Sequence, residues 1–536
     1  MNIKNWILHP ILFSIYPVIF SYSNNIGKVT FQNVLELLIF TVLFVFFGWG
    51  ILRLILNDWF RSGGIASLLI ILFYSYGHAR TNIDLAGIDY FLPVIWIAAL
   101  LLGVFVIIRS RTKFYNGTKI LNVVSVVLVI LVATNIGLYQ FKITTLAQTV
   151  PQLERIPKNL IDEDEQQPQL ERIPKNLIDK DEQQPHPDVY FIILDAYARK
   201  DVLKNIYSFD NSKFLDNLES KGFYIADKAI ANYGQTGLSL GSSLNLMYLD
   251  DLVEQIGENN LNREPLNLLI NQNQIAFFLR KKGYKIIALA STRPETQMTS
   301  ADVFLSSGTM LNEFHEGLKN STPLPDMESS DKREEVFSRY RMHTMFTLDK
   351  LGKLALEHKG PKFIFAHIEQ PHPPFVFGPN GEPVQLESRF NDHDGDWLVR
   401  PGRLTVEQYH KHYVDQLIFL NKKIEFVIDE ILKKSSQPPI VIIFGDHGPR
   451  SRLNWQSLEK TDVRESFSIL SAYHLPGNGK ELLYPEISPV NSIRVIFNHY
   501  FGVNLDLLPD RSFYSTARFL YKFQDVTERV RTPFKE

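Results

Sequence analysis

In "VIIFGDHGPR" (441–450) an apolar run that starts at Ile440 ends at Phe444, and Gly445, Asp446, His447 and Gly448 follow directly. A strand that is apolar along its whole length is buried on both faces, as in a parallel sheet. A carboxylate and an imidazole at its end, flanked by glycines that let backbone approach closely, suit either a metal site or a polar turn. Three further apolar runs have this form: "DVYFIIL" (188–194), "KIIALA" (285–290) and "KFIFAHIE" (362–369). Helical stretches separate them: "NSKFLDNLESKG" (211–222), which ends at Gly222, and a long amphipathic segment near 405–434. This alternation predicts an α/β domain with a mostly parallel sheet covered by helices on both faces. Ligands of such sheets bind at the carboxyl ends of the strands. Asp195, the stretch "AHIEQPHPPF" (366–375) and Asp446–His447 are therefore expected at one edge.

The full chain has 536 residues, more than one ordinary domain. Lys and Arg number 56 against 58 for Asp and Glu, so no basic field points to nucleic acid. Cysteine is absent, which excludes a disulfide scaffold, an iron–sulfur centre, a thiol nucleophile and a thiolate zinc site. Residues 1–140 stand apart, with runs such as "VLELLIFTVLFVFFGWGILRLIL" (34–56). About 20 apolar residues cross a hydrocarbon core roughly 30 Å thick. That measure predicts an all-α membrane domain of about five spans, near 6–22, 34–56, 64–79, 90–108 and 120–139. Arg109, Arg111, Lys113 and Lys119 crowd the loop before the last span. The positive-inside rule then puts that loop and the N-terminus in the cytoplasm and everything after residue 140 outside it. Residues 141–186 form a linker in which "PQLERIPKNLIDEDEQQ" (151–167) is repeated at 168–184 with one change, Glu163 to Lys180. Prolines in each copy prevent a continuous helix and the polar half buries no face, so the unit reads as a spacer or as a docking element. Residues 187–536 form the α/β domain.

Taken singly, the strand-end residues have plain explanations. Asp195 suits an Asx turn or a helix cap. In "NYGQTGLSLGSSLNLMYL" (232–249), Thr236 or Ser239 could cap the helix that follows. The same geometry, a hydroxyl beside unpaired N–H groups at the positive end of a helix dipole, also suits a phosphate or sulfate. Local sequence does not separate capping from anion binding.

The order of Asp195, a Thr or Ser opening a helix some 40 residues on, and "GDHG" far downstream resembles the alkaline phosphatase superfamily. It is most similar to the branch that holds sulfatases, lipoteichoic acid synthase and phosphoethanolamine transferases. That resemblance implies an alkaline-phosphatase-like sheet and makes Asp195, Asp446 and His447 ligands of one divalent metal. Mn²⁺ leads, with Zn²⁺, Mg²⁺ and Ca²⁺ as alternatives. Thr236 matches the metal-bound nucleophile, and His372, in "HPPF", matches the histidine that holds the substrate's phosphate oxygens. Metal coordination would lower the hydroxyl's pKa and neutralise charge on the transferred group.

Two departures narrow the reading. "QTGLSLGSS" lacks the Cys/Ser-x-Pro-x-Arg of formylglycine sulfatases, and "HIEQPH" lacks the Asp-x-x-x-His of two-metal phosphatases. The histidines of His367-x-Glu369-x-x-His372 are five apart and Pro371 intervenes, so this is not a zincin helix. His367 orients substrate or is a satisfied core histidine. Arg199 and Arg450 are placed to bind substrate anions or to pair within the domain.

The expected protein is a membrane-anchored, metal-dependent phosphotransferase or phosphoester hydrolase with a covalent phospho-threonine. Its partners would be a membrane lipid head group or an envelope glycan, at the bacterial cytoplasmic membrane with the catalytic domain outside. The alternatives are a sulfuric-ester hydrolase on the same residues and an inactive binding or receptor protein of the same fold.

Overall fold

The computed structural model describes residues 6–24, 31–83, 91–110, 114–153, 186–308, 313–327, 330–384, 395–399 and 403–534. Beyond its first three residues, Pro151–Leu153 at the end of the fifth helix, the tandem repeat lies outside them. The chain divides into two compact units, residues 1–154 with 311–333 and residues 155–310 with 334–536.

The first unit is helical: α1 His9–Asn24, α2 Phe31–Leu56, α3 Trp59–Ile83, α4 Leu92–Arg109 and α5 Tyr115–Leu153. Among the described residues, four helices are long and apolar enough to cross a membrane, through Val34–Leu56, Trp59–Arg80, Leu92–Arg109 and Tyr115–Leu138. The first expected span is the exception. Helix α1 has 16 residues, with Pro17 inside, and falls short of a hydrocarbon core's thickness. Half of the α3 span is buried against 11–17% of the other three, so α3 runs through the middle of this unit.

The second unit is built on a seven-stranded sheet in the order β2-β7-β6-β1-β5-β3-β4. Its strands are β1 Val189–Leu194, β2 Tyr224–Ile225, β3 Lys285–Leu289, β4 Val303–Leu305, β5 Lys362–Ile368, β6 Ile440–Phe444 and β7 Ser471–His474. Strands β6, β1, β5, β3 and β4 run parallel. Only the β6–β7 and β7–β2 pairings are antiparallel. The runs read as strands are β1, β3, β5 and β6, adjacent in the middle of the sheet and without exposed residues.

Their side chains alternate between two cores, as a period of two requires. Val189, Phe191 and Ile193 enter one core; Tyr190, Ile192 and Leu194 enter the other. Each fully buried side chain of this size contributes about 1.5–3 kcal/mol. Helix Val406–Lys434 covers the second core with Tyr409, Tyr413, Leu417, Leu420 and Ile424, spaced three or four apart on one face. Thr405 and Gln408 close its N-terminus as a capping box. Helix Pro489–Phe501 covers the first core and stops at Gly502, whose φ of +66° suits glycine. The mostly parallel sheet with helices on both faces, and the helical membrane part ahead of it, match the expected fold class.

Candidate metal centre and nucleophile

Four neighbouring strands, β6, β1, β5 and β3, deliver polar residues to the same edge of the sheet. Asp195 follows β1, His367 is the penultimate residue of β5, and Asp446 and His447 stand one and two residues beyond Gly445 at the end of β6. Register places Ile193 beside His367 and Phe444. Donor atoms of Asp195, His367 and Asp446 all lie within 4.8 Å of one another. Nε2 of His447 is 3.2 Å from Asp195 Oδ1, 3.4 Å from Asp446 Oδ2 and 3.2 Å from Thr236 Oγ1.

Thr236 is the first residue of helix Thr236–Ser243, and Gln235 occupies the cap position without a side-chain cap bond. The capping explanation for Thr236 therefore falls away. Its half-buried hydroxyl turns to His447 instead. Ser239, one turn on, is 1% exposed and lies inside the fold.

The backbone around the cluster is tightly drawn. Ala196 adopts φ +61°, a conformation that costs a non-glycine residue about 1 kcal/mol. Its N–H donates to Asp446 Oδ1 at 3.2 Å, and its carbonyl accepts from the Tyr413 hydroxyl at 2.8 Å. A Cβ at Gly445 would come within 2.6 Å of the Tyr197 carbonyl oxygen, and one at Gly448 would overlap the Glu465 carbonyl oxygen. The glycines of "GDHG" thus admit the protein's own backbone.

Each histidine of the cluster has one ring nitrogen committed elsewhere. Nδ1 of His447 pairs with the Gly448 carbonyl at 2.8 Å, and Nδ1 of His367 with Thr296 Oγ1 at 2.9 Å. With Nδ1 of His447 beside a carbonyl oxygen, its Nε2 is the ring nitrogen that faces the carboxylate and hydroxyl oxygens. Both carboxylate oxygens of Asp195, Oδ2 of Asp446 and Nε2 of His367 are sealed from solvent and lack a well-aligned hydrogen bond among the described residues, although nitrogens of Arg293, His367 and His447 approach Asp195 to 3.2–3.4 Å. Converging buried acceptors of this kind are what a divalent cation satisfies. Two carboxylates, imidazole nitrogen and a hydroxyl fit Mn²⁺, Zn²⁺ or Mg²⁺ by donor type. Burial alone would raise the Asp195 carboxyl, but the imidazoles of His372, His367 and His447 hold it well below the usual carboxylate range.

Of the other residues singled out from sequence, His372 is buried on the loop after β5. Its backbone N–H donates to the Asp195 carbonyl at 3.2 Å, and its ring centroid is 6.0 Å from that of His447. His367, expected beside substrate or in the core, stands inside the carboxylate cluster, 3.4 Å from Asp195 Oδ2. Arg199 is not drawn into the site: it pairs with Asp201 and donates to the Ala229 carbonyl at 2.9 Å. Arg450 donates to the Gly234 carbonyl and lies over the Trp455 ring.

Sequence reading missed Arg293. Its Nε is 3.3 Å from Asp195 Oδ2 and its terminal nitrogen 3.2 Å from His372 Nδ1. The signal was available, because Arg293 follows the carboxyl end of β3. Gln416 was also missed. From helix Val406–Lys434 it donates to the His372 carbonyl at 3.1 Å and accepts from Val376 N–H at 2.9 Å, fixing the loop that carries His372. A glutamine on the mostly apolar buried face of that helix was its trace.

The Sulfatase family model matches residues 187–486. No curated protein matches the chain. Among solved structures, it is similar to the C-terminal periplasmic domain of EcEptC from Escherichia coli, at 12% identity over 63% of this chain and 91% of that one, with a TM-score of 0.37. It is similar to the integral membrane lipooligosaccharide phosphoethanolamine transferase A (EptA) from Neisseria meningitidis, at 11% identity over 90% of this chain and 93% of that one, TM-score 0.35. A putative sulfatase from Bacteroides thetaiotaomicron matches at 15% identity over 63% of this chain and 75% of that one, TM-score 0.39. With more than half of the chain under the family model, this protein belongs to the Sulfatase family.

Proposed function

We propose that this protein is a membrane-anchored phosphotransferase or phosphodiester hydrolase that works through a phospho-threonine on Thr236. The observation that carries the reading is the approach of Thr236 Oγ1 to His447 Nε2, 3.2 Å, at the rim of the buried Asp195–Asp446–His367 cluster. Asp195, Asp446, His447 and Thr236 would hold one divalent ion, with Mn²⁺ the leading candidate, and His367 is a further donor at its side. When bound, that ion supplies charge neutralisation and a lowered hydroxyl pKa.

Thr236 Oγ1 attacks phosphorus, the bond from phosphorus to the leaving alcohol breaks, and the alcohol departs with a proton. Water or a second alcohol then attacks the phospho-threonine and restores the hydroxyl. His372 and Arg293, in contact at 3.2 Å, orient the phosphoryl oxygens, Arg293 by its planar fork. Under this proposal the chain is anchored in lipid, and lipid head groups and envelope glycans are its substrate classes. In this reading the spans lie in a bacterial cytoplasmic membrane, residues 141–186 form the linker, and residues 187–536 act outside the cytoplasm.

A second reading, sulfuric-ester hydrolysis, is favoured by the family match alone. It is disfavoured by "QTGLSLGSS", which offers no Cys/Ser-x-Pro-x-Arg for a formylglycine. The test uses the full-length protein in detergent. Metal analysis is expected to find one divalent ion per chain, and mass spectrometry after incubation with a phosphodiester to find phosphate on Thr236. Turnover of phosphodiesters with phosphate trapped on no residue would overturn the covalent route. Turnover of sulfate esters alone would establish the second reading.

A further inference from the structure

The buried carboxylate of Glu465 takes no part in the steps above, yet its surroundings are unusually specific. Glu465 lies in the short helix Val463–Phe467, beyond β6, and is 0% exposed. Its Oε1 accepts from the Tyr207 hydroxyl at 2.6 Å, from Ser451 N–H at 3.1 Å and from the Ser451 hydroxyl. Its Oε2 accepts from Arg452 N–H at 2.8 Å. A carboxylate offers about four lone-pair sites, and four donors meet it here. No lysine or arginine side chain forms an ion pair with it among the described residues. Burying such a group uncompensated by a cation is costly, and burial pushes the Glu465 carboxyl up to about 7 against the hydrogen bonds from Ser451, Tyr207 and Arg452.

The segment that these bonds hold is the one that carries the metal donors. Ser451 and Arg452 stand four and five residues after His447. At the other end of the segment, Gly448 N–H donates to the Ser466 carbonyl at 2.8 Å, and the Glu465 carbonyl fills the space a Gly448 side chain would need. Between these ties, Arg450 donates to the Gly234 carbonyl, two residues before Thr236. Fixing 448–452 therefore fixes both the donors on one side of the cluster and the loop that presents the nucleophile. His410 adds a brace from helix Val406–Lys434, with Nε2 2.9 Å from the Ser451 hydroxyl.

We infer that Glu465 is a positioning residue that holds residues 446–452 in the metal-binding arrangement, and with them the Thr236 loop. The inference rests on the reading that the cluster binds a metal and turns over phosphoesters. Glu465→Gln is the informative change. An amide nitrogen cannot accept, so whichever way it turns, a backbone N–H of Ser451 or Arg452 loses its partner.

The test compares wild type and Glu465→Gln as full-length protein in detergent, by titration with Mn²⁺ and by phosphodiester turnover at limiting and saturating Mn²⁺. Supporting groups around metal ligands typically change affinity by about ten- to a hundredfold. The variant is expected to bind Mn²⁺ weaker by about that factor, with kcat restored in part by excess Mn²⁺ and KM for the phosphodiester little changed. A purely structural role would lower the amount of folded protein and leave the Mn²⁺ affinity of the folded fraction alone; that result overturns the inference. Equal Mn²⁺ affinity and turnover in both proteins overturns it too. A wild type that binds no metal fails the underlying reading, and the inference falls with it. If Glu465→Gln does not fold, Ser451→Ala deletes one donor and spares the buried acid. A smaller loss of Mn²⁺ affinity is then expected, and wild-type affinity in that variant counts against the inference.

Discussion

The membrane unit and the sheet unit put the same side chains to opposite uses. In the first, Phe44 is 69% and Leu54 83% exposed; in the second, Phe191, Phe363 and Phe365 are at most 1% exposed. Lipid is itself apolar, so membrane helices gain nothing from hiding phenylalanine, and water makes the sheet unit hide it. Buried polar groups divide in the same way. Those of the membrane unit are scattered, as with Ser14 bonded to the Ile11 carbonyl or Ser62 to Trp49. In the sheet unit one set converges: Asp195, His367, Asp446 and His447 are all buried at one edge. A polar group satisfied by its own helix is neutral, whereas several acceptors forced together need a partner from outside. Convergence, more than burial, marks the site.

The sharpest way to break this contrast is at Thr236. Thr236→Ala is expected to fold, since no cap bond is lost, and to lose phosphodiester turnover on the order of a thousandfold or more. Ser239→Ala, three residues on and inside the fold, should keep most activity. Assay of both variants with a chromogenic phosphodiester decides it, and the reverse ranking would move the nucleophile to Ser239.

Stability gives the next effect. Phe191→Ala should cost about 3–5 kcal/mol, because it empties space between Phe363, Phe365 and Phe444. Phe44→Ala on the lipid-facing surface should stay within about 0.5 kcal/mol. Thermal unfolding of the two variants in the same detergent measures the difference. Similar losses would mean that Phe44 is covered by protein.

The smallest effect is a dependence on pH. The folded value of the Glu465 carboxyl, about 7, lies above its ordinary 4.5. A raised value means that the folded state binds the proton more tightly than the unfolded chain does. The associated stability is present below the ordinary value and is lost as pH rises through the raised one. Tyr207, Asp462, Arg452 and His410 surround this carboxyl and are common to both proteins compared. The Tm of wild type relative to Glu465→Gln should therefore fall between about pH 5 and pH 8. A flat difference would show that Glu465 keeps one protonation state throughout that range.

Much of the sheet unit was legible. Runs such as "VYFIIL" (189–194) have no polar face, so only a central strand can bury them, and the strand-end rule then singled out Asp195, Asp446 and His447. Thr236 was legible only by resemblance, since any hydroxyl near a helix start reads equally as a cap. Arg293 and Glu465 escaped for different reasons. Arg293 lies four residues past a strand end, in a loop with no motif of its own, whereas Glu465 gains its meaning from Tyr207 and Ser451, distant in sequence and adjacent only in the fold.

The sequence by itself determined the membrane helices, the parallel sheet and the edge on which chemistry collects, because hydrophobic periodicity acts locally and a strand end needs no knowledge of its neighbours. It also excluded every thiol-based chemistry. Tertiary structure alone decided that His367 faces the carboxylates while Arg199 turns to Asp201, and that Thr236 rather than Ser239 presents its hydroxyl to His447. Those choices depend on which side chains meet across strands and loops far apart in the chain. A distance of 3.2 Å between residues 211 positions apart is set by the packing of the whole unit, and no local pattern encodes it.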